Sequence, residues 1–386
     1  MFLEATLARN PELVAFALDA VRRGLVAPGT FLVDLDAVEA NAAAIAETAR
    51  DHGIGLYFMS KQFGRQPDVL RRVAAHVPAA VAVNLDDARA LRAAGVRLGH
   101  AGHLVQPGLR EVDELLALEP ELVTVYSEDL ARAIGAAAHG LGRTQPVLLR
   151  LRSVADAAFA GQTGGFEPDE LAGVAERLRA VPGLTVAGAT AFPCFDVVDG
   201  RVVANGNADE LRRAGDLLGG GCQLNAPGNS CAAVIPLLAE LGLTHAEPGH
   251  ALTGTTPLHA TDPSQPERPA VVFATEISHR VGPGRYGVLG GGFYARARAS
   301  RAVVGSPTGR RAAELEPLSA EAIDYYRTIA TDGDVAVGDP VVFAFRFQAF
   351  VTRAPIAAVA GLPDRPTVVG IHDPFGTPRQ APVRAG

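Results

Sequence analysis

The sequence predicts an α/β fold made of a closed (β/α)8 barrel followed by a smaller β domain. Eight short apolar runs between residues 55 and 247 are typical of strands, and a helical pattern separates each run from the next. Regular βα alternation with short connections indicates a parallel sheet, and eight units favour a closed barrel. A doubly wound open sheet is the alternative. It is disfavoured because the glycine fingerprint of a dinucleotide site is missing after the first strand.

The elements before the barrel follow from local signals. Asn10-Pro11 provides an N-cap and a proline at the first helical position, which predicts an amphipathic helix at 11–24. A strand is predicted at 31–35 and could pair into the barrel. Asp36 is then expected to cap a helix over 37–51.

The barrel elements are assigned from runs of apolar residues and from helical periodicity. Strands are predicted at 55–60, 79–84, 98–105, 122–126, 146–152, 184–190, 222–225 and 244–247. Helices are predicted at 66–75, 86–94, 109–118, 128–140, 168–180, 207–218 and 230–241.

The pattern changes after about residue 258. A polar, proline-rich stretch at 259–269 is typical of a link between domains. The β-branched runs beyond it, split by Gly and Pro, predict strands at 270–281, 301–305, 341–353, 356–360 and 367–371. We therefore expect an N-terminal helical segment at 1–30, a barrel at 31–258 and a C-terminal β domain at 259–386.

Composition narrows the classes of partner. The formal net charge of −7 argues against nucleic acid or an anionic membrane as a partner. No apolar run is long enough to span a bilayer, and no secretory signal is evident, so a cytoplasmic location is expected. The chain has three cysteines: Cys194, Cys222 and Cys231. They are too few for a disulfide framework or a zinc cluster, and no metal site is predicted.

A lysine follows the first barrel strand. The segment Tyr57-Phe-Met-Ser-Lys61 leads from apolar residues directly into Lys61. An ammonium there must be solvated, paired or neutralised, and one use that meets this need is an imine to a carbonyl cofactor. A lysine that simply emerges at the solvent end of a strand is the alternative.

Two later turns have the character of anion sites. Asn225-Ala-Pro-Gly228-Asn229-Ser230-Cys231 follows the seventh strand, and Glu247-Pro-Gly249-His250 follows the eighth. Phosphate groups commonly bind after strands 7 and 8 of such barrels, where backbone amides and small polar side chains suit an anion. Plain turns with an N-cap are the alternative for each loop taken alone.

Three further stretches belong with these: His100-Ala-Gly-His103, Ala191-Phe-Pro-Cys194 and Glu276-Ile-Ser-His279. Together they resemble the alanine racemase-like, fold-type III family of pyridoxal phosphate (PLP) enzymes, most closely its YhfX-like branch. The resemblance extends over nearly the whole chain. It implies that Lys61 forms a Schiff base, the internal aldimine, with PLP. It also implies that Asn229, Ser230 and the backbone of Gly249-His250 hold the phosphate, and that the C-terminal β domain completes the site in a homodimer.

The sequence departs from the alanine racemase pattern at informative positions. Glu247 replaces an arginine that faces the pyridine nitrogen, as in the ornithine and diaminopimelate decarboxylases of the same fold. A carboxylate there favours the protonated pyridinium, a stronger electron sink. Ala191 replaces the histidine that stacks on the cofactor, and no arginine stands at 162–164 to contact its phenolic oxygen. His103 could supply a replacement contact, or be a hydrogen-bonded core histidine.

The second acid–base group is expected in the β domain, where alanine racemases use a tyrosine from the partner subunit. Tyr294 is our assignment, with His250, His279 and Cys231 as competitors and Tyr286 nearby. The expected function is racemisation or epimerisation at Cα of a small amino-acid-like substrate. A decarboxylase or lyase of the same fold, and a non-catalytic PLP carrier, are the alternatives.

Overall fold

The computed structural model describes residues 1–154, 157–294, 296–319 and 321–381. The helices are α1 (Phe2–Arg9), α2 (Pro11–Arg22), α3 (Leu35–Asp51), α4 (Pro67–Ala74), α5 (Leu85–Ala93), α6 (Val112–Ala117), α7 (Glu128–Gly140), α8 (Leu171–Arg179), α9 (Gly206–Leu218), α10 (Ile235–Glu240) and α11 (Pro257–Thr261). The first twelve strands are β1 (Thr30–Asp34), β2 (Gly55–Leu56), β3 (Phe58–Met59), β4 (Ala79–Val81), β5 (Arg97–Ala101), β6 (Leu122–Val125), β7 (Gln145–Arg150), β8 (Leu184–Thr190), β9 (Phe195–Val198), β10 (Arg201–Ala204), β11 (Gln223–Asn225) and β12 (His245–Ala246). The others are β13 (Val271–Gly282), β14 (Arg285–Leu289), β15 (Arg301–Ser306), β16 (Gly309–Leu315), β17 (Tyr326–Ala330), β18 (Pro340–Phe343), β19 (Ile356–Ala360) and β20 (Thr367–His372).

The chain forms two compact units. The barrel unit contains Ala42–Ser60 and Val73–Gly249, and the β unit contains Met1–Asn41, Lys61–Arg72 and the described residues from His250 onwards. No helix among the described residues has the length and apolar character needed to cross a membrane.

The barrel unit is a parallel sheet in the order β2-β12-β11-β8-β7-β6-β5-β4-β3. The two ends of this sheet, β2 and β3, are successive pieces of one strand interrupted at Tyr57, so the sheet closes on itself with eight strand positions. The predicted fold class is confirmed, and each of the eight predicted barrel strands is present. The short hairpin β9–β10 after β8 was not predicted.

Tyr57 lies at the closure of the barrel. Its amide donates to Ala246 at 3.2 Å, and its ring stacks on that of His245 with centroids 5.7 Å apart. The ring lies against Gly99, where a Cβ would come within 2.3 Å of it. Glycine at position 99 thus leaves the space that the Tyr57 ring occupies.

The β unit contains a second closed set of strands. β13, β14, β17, β16, β15 and β18 form a ring of antiparallel pairs, and β1, β19 and β20 extend the sheet from β13. Buried phenylalanine rings fill this unit, with neighbouring centroids 4.3 to 6.4 Å apart: Phe31, Phe273, Phe293, Phe343, Phe345 and Phe347. Strands β14, β16 and β17 were not predicted from the sequence.

Strand β1 does not join the barrel sheet as the sequence suggested. It pairs antiparallel with β13, with Phe31 opposite Phe273, and parallel with β19. The division of the chain therefore differs from the expected 1–30, 31–258 and 259–386, because residues 1–41 and 61–72 belong to the β unit. Asp34, rather than Asp36, caps α3 by accepting from the amide of Ala37 at 3.0 Å.

The proline-rich stretch at 259–269 is not a link between the units, since it lies within the β unit. His259 and Glu267 are buried in it, with Nε2 of the histidine 3.1 Å from Oε2 of the glutamate. A buried polar pair of this kind needs a fixed backbone around it. Helix α1, which precedes the predicted helix at Pro11–Arg22, is a further element that the sequence signals did not indicate.

Candidate active site

The barrel unit holds a buried carboxylate directly after its last strand. Glu247 follows β12, and its Oε1 lies 2.6 Å from Nδ1 of His100 and accepts from Nδ2 of Asn225 at 2.8 Å. Because a carboxylate only accepts, Nδ1 of His100 carries the proton. Among the described residues Oε2 receives no hydrogen bond, and Nε2 of His103 lies 3.8 Å from it. Oε1 is thus held by two donors, whereas no donor of the described residues lies within hydrogen-bonding distance of Oε2.

The histidines keep Glu247 ionised. Burial alone would raise the pKa of this carboxyl, but the neighbouring His103 and His100 and the hydrogen bonds from His100 and Asn225 lower the pKa to about 2. The side chain therefore carries a full negative charge at neutral pH, within a buried setting that normally disfavours one.

We expect this carboxylate to make the protein sensitive to acid. Its pKa in the folded state is below the ordinary 4.5, so its stabilising contribution is present above pH 4.5 and is lost as the pH falls from about 4.5 towards 2. Glu247→Gln should remove this part of the pH dependence. The free energies of unfolding of the wild type and of Glu247→Gln are measured in urea at pH 7 and at pH 3. The difference between the two proteins should be smaller at pH 3. A gap of the same size at both pH values would contradict the assignment.

His100 belongs to this cluster, and no role was predicted for it from the sequence. It lies in β5, and its Nε2 is 2.6 Å from Oγ1 of Thr124 in the neighbouring β6. A histidine within an apolar strand signals a hydrogen-bonded interior position, but its partner Glu247 is distant in sequence. His103, which was predicted as a cofactor contact, is buried, with its ring 5.7 Å from that of Phe192.

The turn after β11 contains Asn229 and Ser230, as predicted, but no helix begins there. Helix α10 starts at Ile235 because Pro236 occupies its first turn, so the expected helix at 230–241 is shorter and later. Asn229 adopts a positive φ of 48°, and its Nδ2 donates to the carbonyl of Phe195 at 3.0 Å. Any anion bound here would meet amides and a hydroxyl of the turn and not a helix N-terminus.

Gly228 keeps this turn tight. A Cβ at this position would lie 3.0 Å from the amide nitrogens of Cys194 and Phe195, and the φ of 148° disfavours other residues. Its own amide donates to Oγ of Ser230 at 3.4 Å. The hydroxyl proton of Ser230 donates to none of the described residues, so it is available to a ligand.

Gly249 ends the last stretch of the barrel unit. Its neighbour Pro248 accepts from the amide of Met59 at 2.8 Å, which joins the segment after β12 to β3. Two residues beyond Met59, the chain reaches Lys61. The backbone bonds of the barrel thus hold β3, two residues before the lysine.

Lys61 and His250 belong to the β unit. The carbonyl of Lys61 accepts from the amide of Phe350 at 3.2 Å. His250 is buried, its Nδ1 lies 2.9 Å from Oγ1 of Thr255, and its Nε2 has no partner among the described residues. Burial lowers the pKa of His250 well below 6.5, and the positive charges of Arg346 and Lys61 lower it further. His250 is therefore a neutral imidazole with one ring nitrogen available.

Tyr294 is half-buried in the β unit. Its hydroxyl donates to the carbonyl of Arg346 at 2.7 Å. Burial raises the pKa of this phenol, although Arg346 and Arg296 act in the opposite direction. The side chain is therefore a protonated phenol at neutral pH, which is the state a proton donor requires.

Lys61 has a further distinction in the full sequence. The chain has 35 lysine and arginine residues, and Lys61 is its only lysine. Every other side-chain cation of this kind is an arginine, which is equally able to carry charge but does not serve as an amine nucleophile. This count was available from the sequence and is a stronger signal than the strand-end position alone.

The closed parallel barrel and the second β unit define the alanine racemase-like, fold-type III class. The model of the "Alanine racemase, N-terminal domain" matches residues 33–257, and that of the "YhfX-like, C-terminal domain" matches residues 272–368. The uncharacterized protein YhfX of Escherichia coli (strain K12) is 39% identical over 386 residues, covering 97% of this chain and 99% of that protein. The chain therefore belongs to the alanine racemase-like family, in its YhfX-like branch, and the resemblance found in the sequence is confirmed.

Solved structures share this fold at low identity. An alanine racemase of Clostridium difficile 630 in complex with cycloserine has a TM-score of 0.65 at 16% identity, covering 90% of this chain and 98% of that one. A D-threonine aldolase from Filomicrobium marinum has a TM-score of 0.67 at 18% identity, covering 90% and 94%. A diaminopimelate decarboxylase from Helicobacter pylori complexed with L-lysine has a TM-score of 0.63 at 15% identity, covering 92% and 94%. Several reaction types thus occur on this fold.

Proposed function

We propose that this protein is a PLP-dependent enzyme that racemises or epimerises a small amino-acid-like substrate at Cα. The observation that carries the proposal is Lys61, the only lysine of the chain, placed two residues after β3. Lysine amines form Schiff bases with carbonyl cofactors, whereas arginine does not replace them in this role. A sequence that otherwise uses arginine retains a primary amine at this one position.

The described residues fit the cofactor by the chemistry of their donors. The turn at 228–230 offers amides and the Ser230 hydroxyl to a phosphate, and the absence of a side chain at Gly228 lets the turn lie close to the backbone of Cys194 and Phe195. As the family resemblance implies, the backbone of Gly249-His250 would hold the same phosphate. Oε2 of Glu247 offers an ionised acceptor for a protonated ring nitrogen. His103 lies beside that carboxylate and would pack near the ring.

When bound, the cofactor supplies electron withdrawal that acidifies the bond between Cα and its hydrogen. Lys61 would hold the cofactor and then serve as the base on one side of Cα. Tyr294, a protonated phenol, would return a proton on the other side. Glu247, held by His100 and Asn225, would keep its negative charge throughout and so maintain the proton on the ring nitrogen.

A decarboxylase or lyase is the second candidate, and Glu247 favours it. A ring nitrogen that stays protonated stabilises negative charge at Cα whichever bond is broken there. The racemase remains the first choice because the cysteine-containing motif of the decarboxylases is not evident in the sequence. We propose that the enzyme acts in the cytoplasm as a homodimer on free small molecules, with neither nucleic acid nor membrane as a partner.

Exchange of the α-proton tests the function. The purified protein loaded with PLP is incubated in deuterated water with a panel of L- and D-amino acids. Deuterium at Cα together with loss of optical purity supports a racemase, and release of carbon dioxide supports a decarboxylase. Binding of PLP with neither exchange nor release of carbon dioxide on any substrate would contradict both enzyme proposals and favour a carrier.

Tyr294→Phe is expected to slow racemisation by about 10²-fold or more, because the second proton donor is removed. The visible absorption of the bound cofactor should be unchanged, since the phenol is not required to hold it. Tyr286→Phe is the matched control, and its rate should remain that of the wild type. An unchanged racemisation rate in Tyr294→Phe would exclude Tyr294 as the donor.

A further inference from the structure

The segment 346–350 of the β unit is hydrogen-bonded to both residues to which proton transfer is assigned. The carbonyl of Arg346 accepts the hydrogen bond of the Tyr294 hydroxyl at 2.7 Å. At the other end of the segment, the amide of Phe350 donates to the carbonyl of Lys61 at 3.2 Å. All of these residues belong to the β unit. Arg346 is therefore held next to the proposed proton donor, on a segment that is also bonded to the proposed base.

The neighbours of Arg346 in sequence direct its side chain away from the core of the β unit. Phe345 and Phe347 are both buried, and their ring centroids lie 4.3 Å apart, so the two rings share one side of the chain. Because successive side chains alternate in extended chain, the side chain of Arg346 lies on the other side. Its Nε is nevertheless buried without a hydrogen-bond partner, and no carboxylate of the described residues lies within ion-pair distance of it.

Positive charge is concentrated around this guanidinium. Burial lowers the pKa of Arg346, and the charge of Arg296 lowers it further, although Tyr294 acts in the opposite direction. Arg346 and Arg296 both lower the pKa of Tyr294, so two guanidinium charges act on the phenol that would meet Cα. Nε2 of His250, which also has no partner among the described residues, lies in the field of Arg346 as well. A buried guanidinium with an unsatisfied N–H loses hydration without replacement, and a bound anion would restore that loss.

We infer that Arg346 binds an acidic group in the side chain of the substrate, which is therefore an amino acid with a second anion, either a carboxylate or a phosphate ester. The inference rests on the proposed function and names its substrate class. The α-carboxylate of any amino acid supplies one negative charge, whereas two arginines act at Tyr294, so a second anion balances them. The planar guanidinium suits the oxygens of either acid. Because Tyr294 is the group that would meet Cα, its bond to Arg346 favours the substrate over the cofactor as the source of the anion.

Pairs of amino acids that differ in the charge of the side chain test the inference. Binding of aspartate and asparagine, of glutamate and glutamine, and of O-phosphoserine and serine to the PLP-loaded protein is measured by calorimetry. The wild type should bind the acid of at least one pair about tenfold or more tightly, which is the effect of one charge-assisted hydrogen bond. The first two pairs report a carboxylate, and the third reports a phosphate ester. Arg346→Met should lose the preference. Arg346→Lys, which keeps the charge without the fork, should retain part of it and guards against a folding defect in Arg346→Met.

Three results would overturn the inference. The first is a wild type that prefers no acid over its neutral counterpart. The second is Arg346→Met that weakens binding of an acid and of its neutral counterpart by the same factor, because Arg346 would then bind the α-carboxylate that both share. The third is Arg346→Met that binds PLP more weakly, binds pyridoxal normally and keeps the preference for the acid, because Arg346 would then serve the cofactor phosphate. Arg310→Met is the matched control: Arg310 is an exposed arginine of β16, and its loss should leave the preference as in the wild type.

Exchange of the α-proton in the same samples reports on the proposed function separately. A preference for the acid that depends on Arg346, without exchange at Cα, would support the acidic substrate class and contradict the racemase. If the wild type binds no PLP, the proposed function fails, and the same titrations on the protein without cofactor decide the inference. A preference for the acid that is lost in Arg346→Met then supports it, and equal affinities for acid and neutral counterpart contradict it.

Discussion

Lys61→Ala, incubated with excess PLP and then freed of unbound cofactor, is expected to be colourless and to show α-proton exchange reduced by about 10⁴-fold. The expectation is unusually clear because Lys61 is the only lysine in the sequence. No other lysine side chain can form the link, and so no secondary lysine adduct can obscure the result. Lys61→Arg is the matched variant: it keeps the positive charge but lacks the primary amine, and it should be equally colourless.

Reduction with borohydride identifies the attachment point directly. After digestion, the mass of one phosphopyridoxyl group should be found on the peptide that contains Lys61. The other primary amine of the chain, at Met1, serves as an internal control for non-specific labelling. A modified Met1 with an unmodified Lys61 would falsify the proposed function at its central step.

Glu247→Gln is expected to retain PLP and its colour but to lose about 10²-fold or more in the rate of exchange at Cα. An amide cannot keep the ring nitrogen protonated by opposite charge, so the electron sink is weakened. The amide has nearly the shape of the carboxylate, and the hydrogen bond from Asn225 to Oε1 can be retained. Rates of deuterium incorporation, compared with the Kd of PLP, separate the electronic effect from a loss of binding.

The histidine that holds Glu247 provides the control. His100→Phe removes the proton that bonds Oε1 and should raise the pKa of Glu247, whereas His100→Gln can still donate a hydrogen bond. The exchange rate should fall more in His100→Phe than in His100→Gln, and less in either than in Glu247→Gln. Equal rates in Glu247→Gln and the wild type would show that ring protonation does not depend on this carboxylate.

The sequence predicted the barrel well because its signals are local. Each barrel strand is a short apolar run bounded by turn residues, and the alternation with helices leaves few topologies. The strands missed in the β unit have a different character. Residues of β16, such as Arg310 and Glu314, are exposed and charged, so the run lacks the apolar pattern on which strand assignment depends.

Features that depend on distant partners could not be read from the chain. The pairing of β1 with β13 joins residues on either side of the whole barrel sequence. The cluster around Glu247 is similar, because His100 and Asn225 become its neighbours only when the parallel strands align at one edge. Arg150 is a related case, because the sequence does not show that the side chain of an arginine at the end of an apolar strand is buried.

The place of β1 has a consequence for how the molecule is made. It is synthesised before the barrel, yet β13 and β19, between which it lies, are synthesised after it. On the ribosome this apolar segment therefore stays unpaired until β13 has emerged, and one of its edges stays unpaired until β19 has emerged. We expect the nascent chain to need protection of this segment during translation, and fragments that end before β19 to aggregate through it.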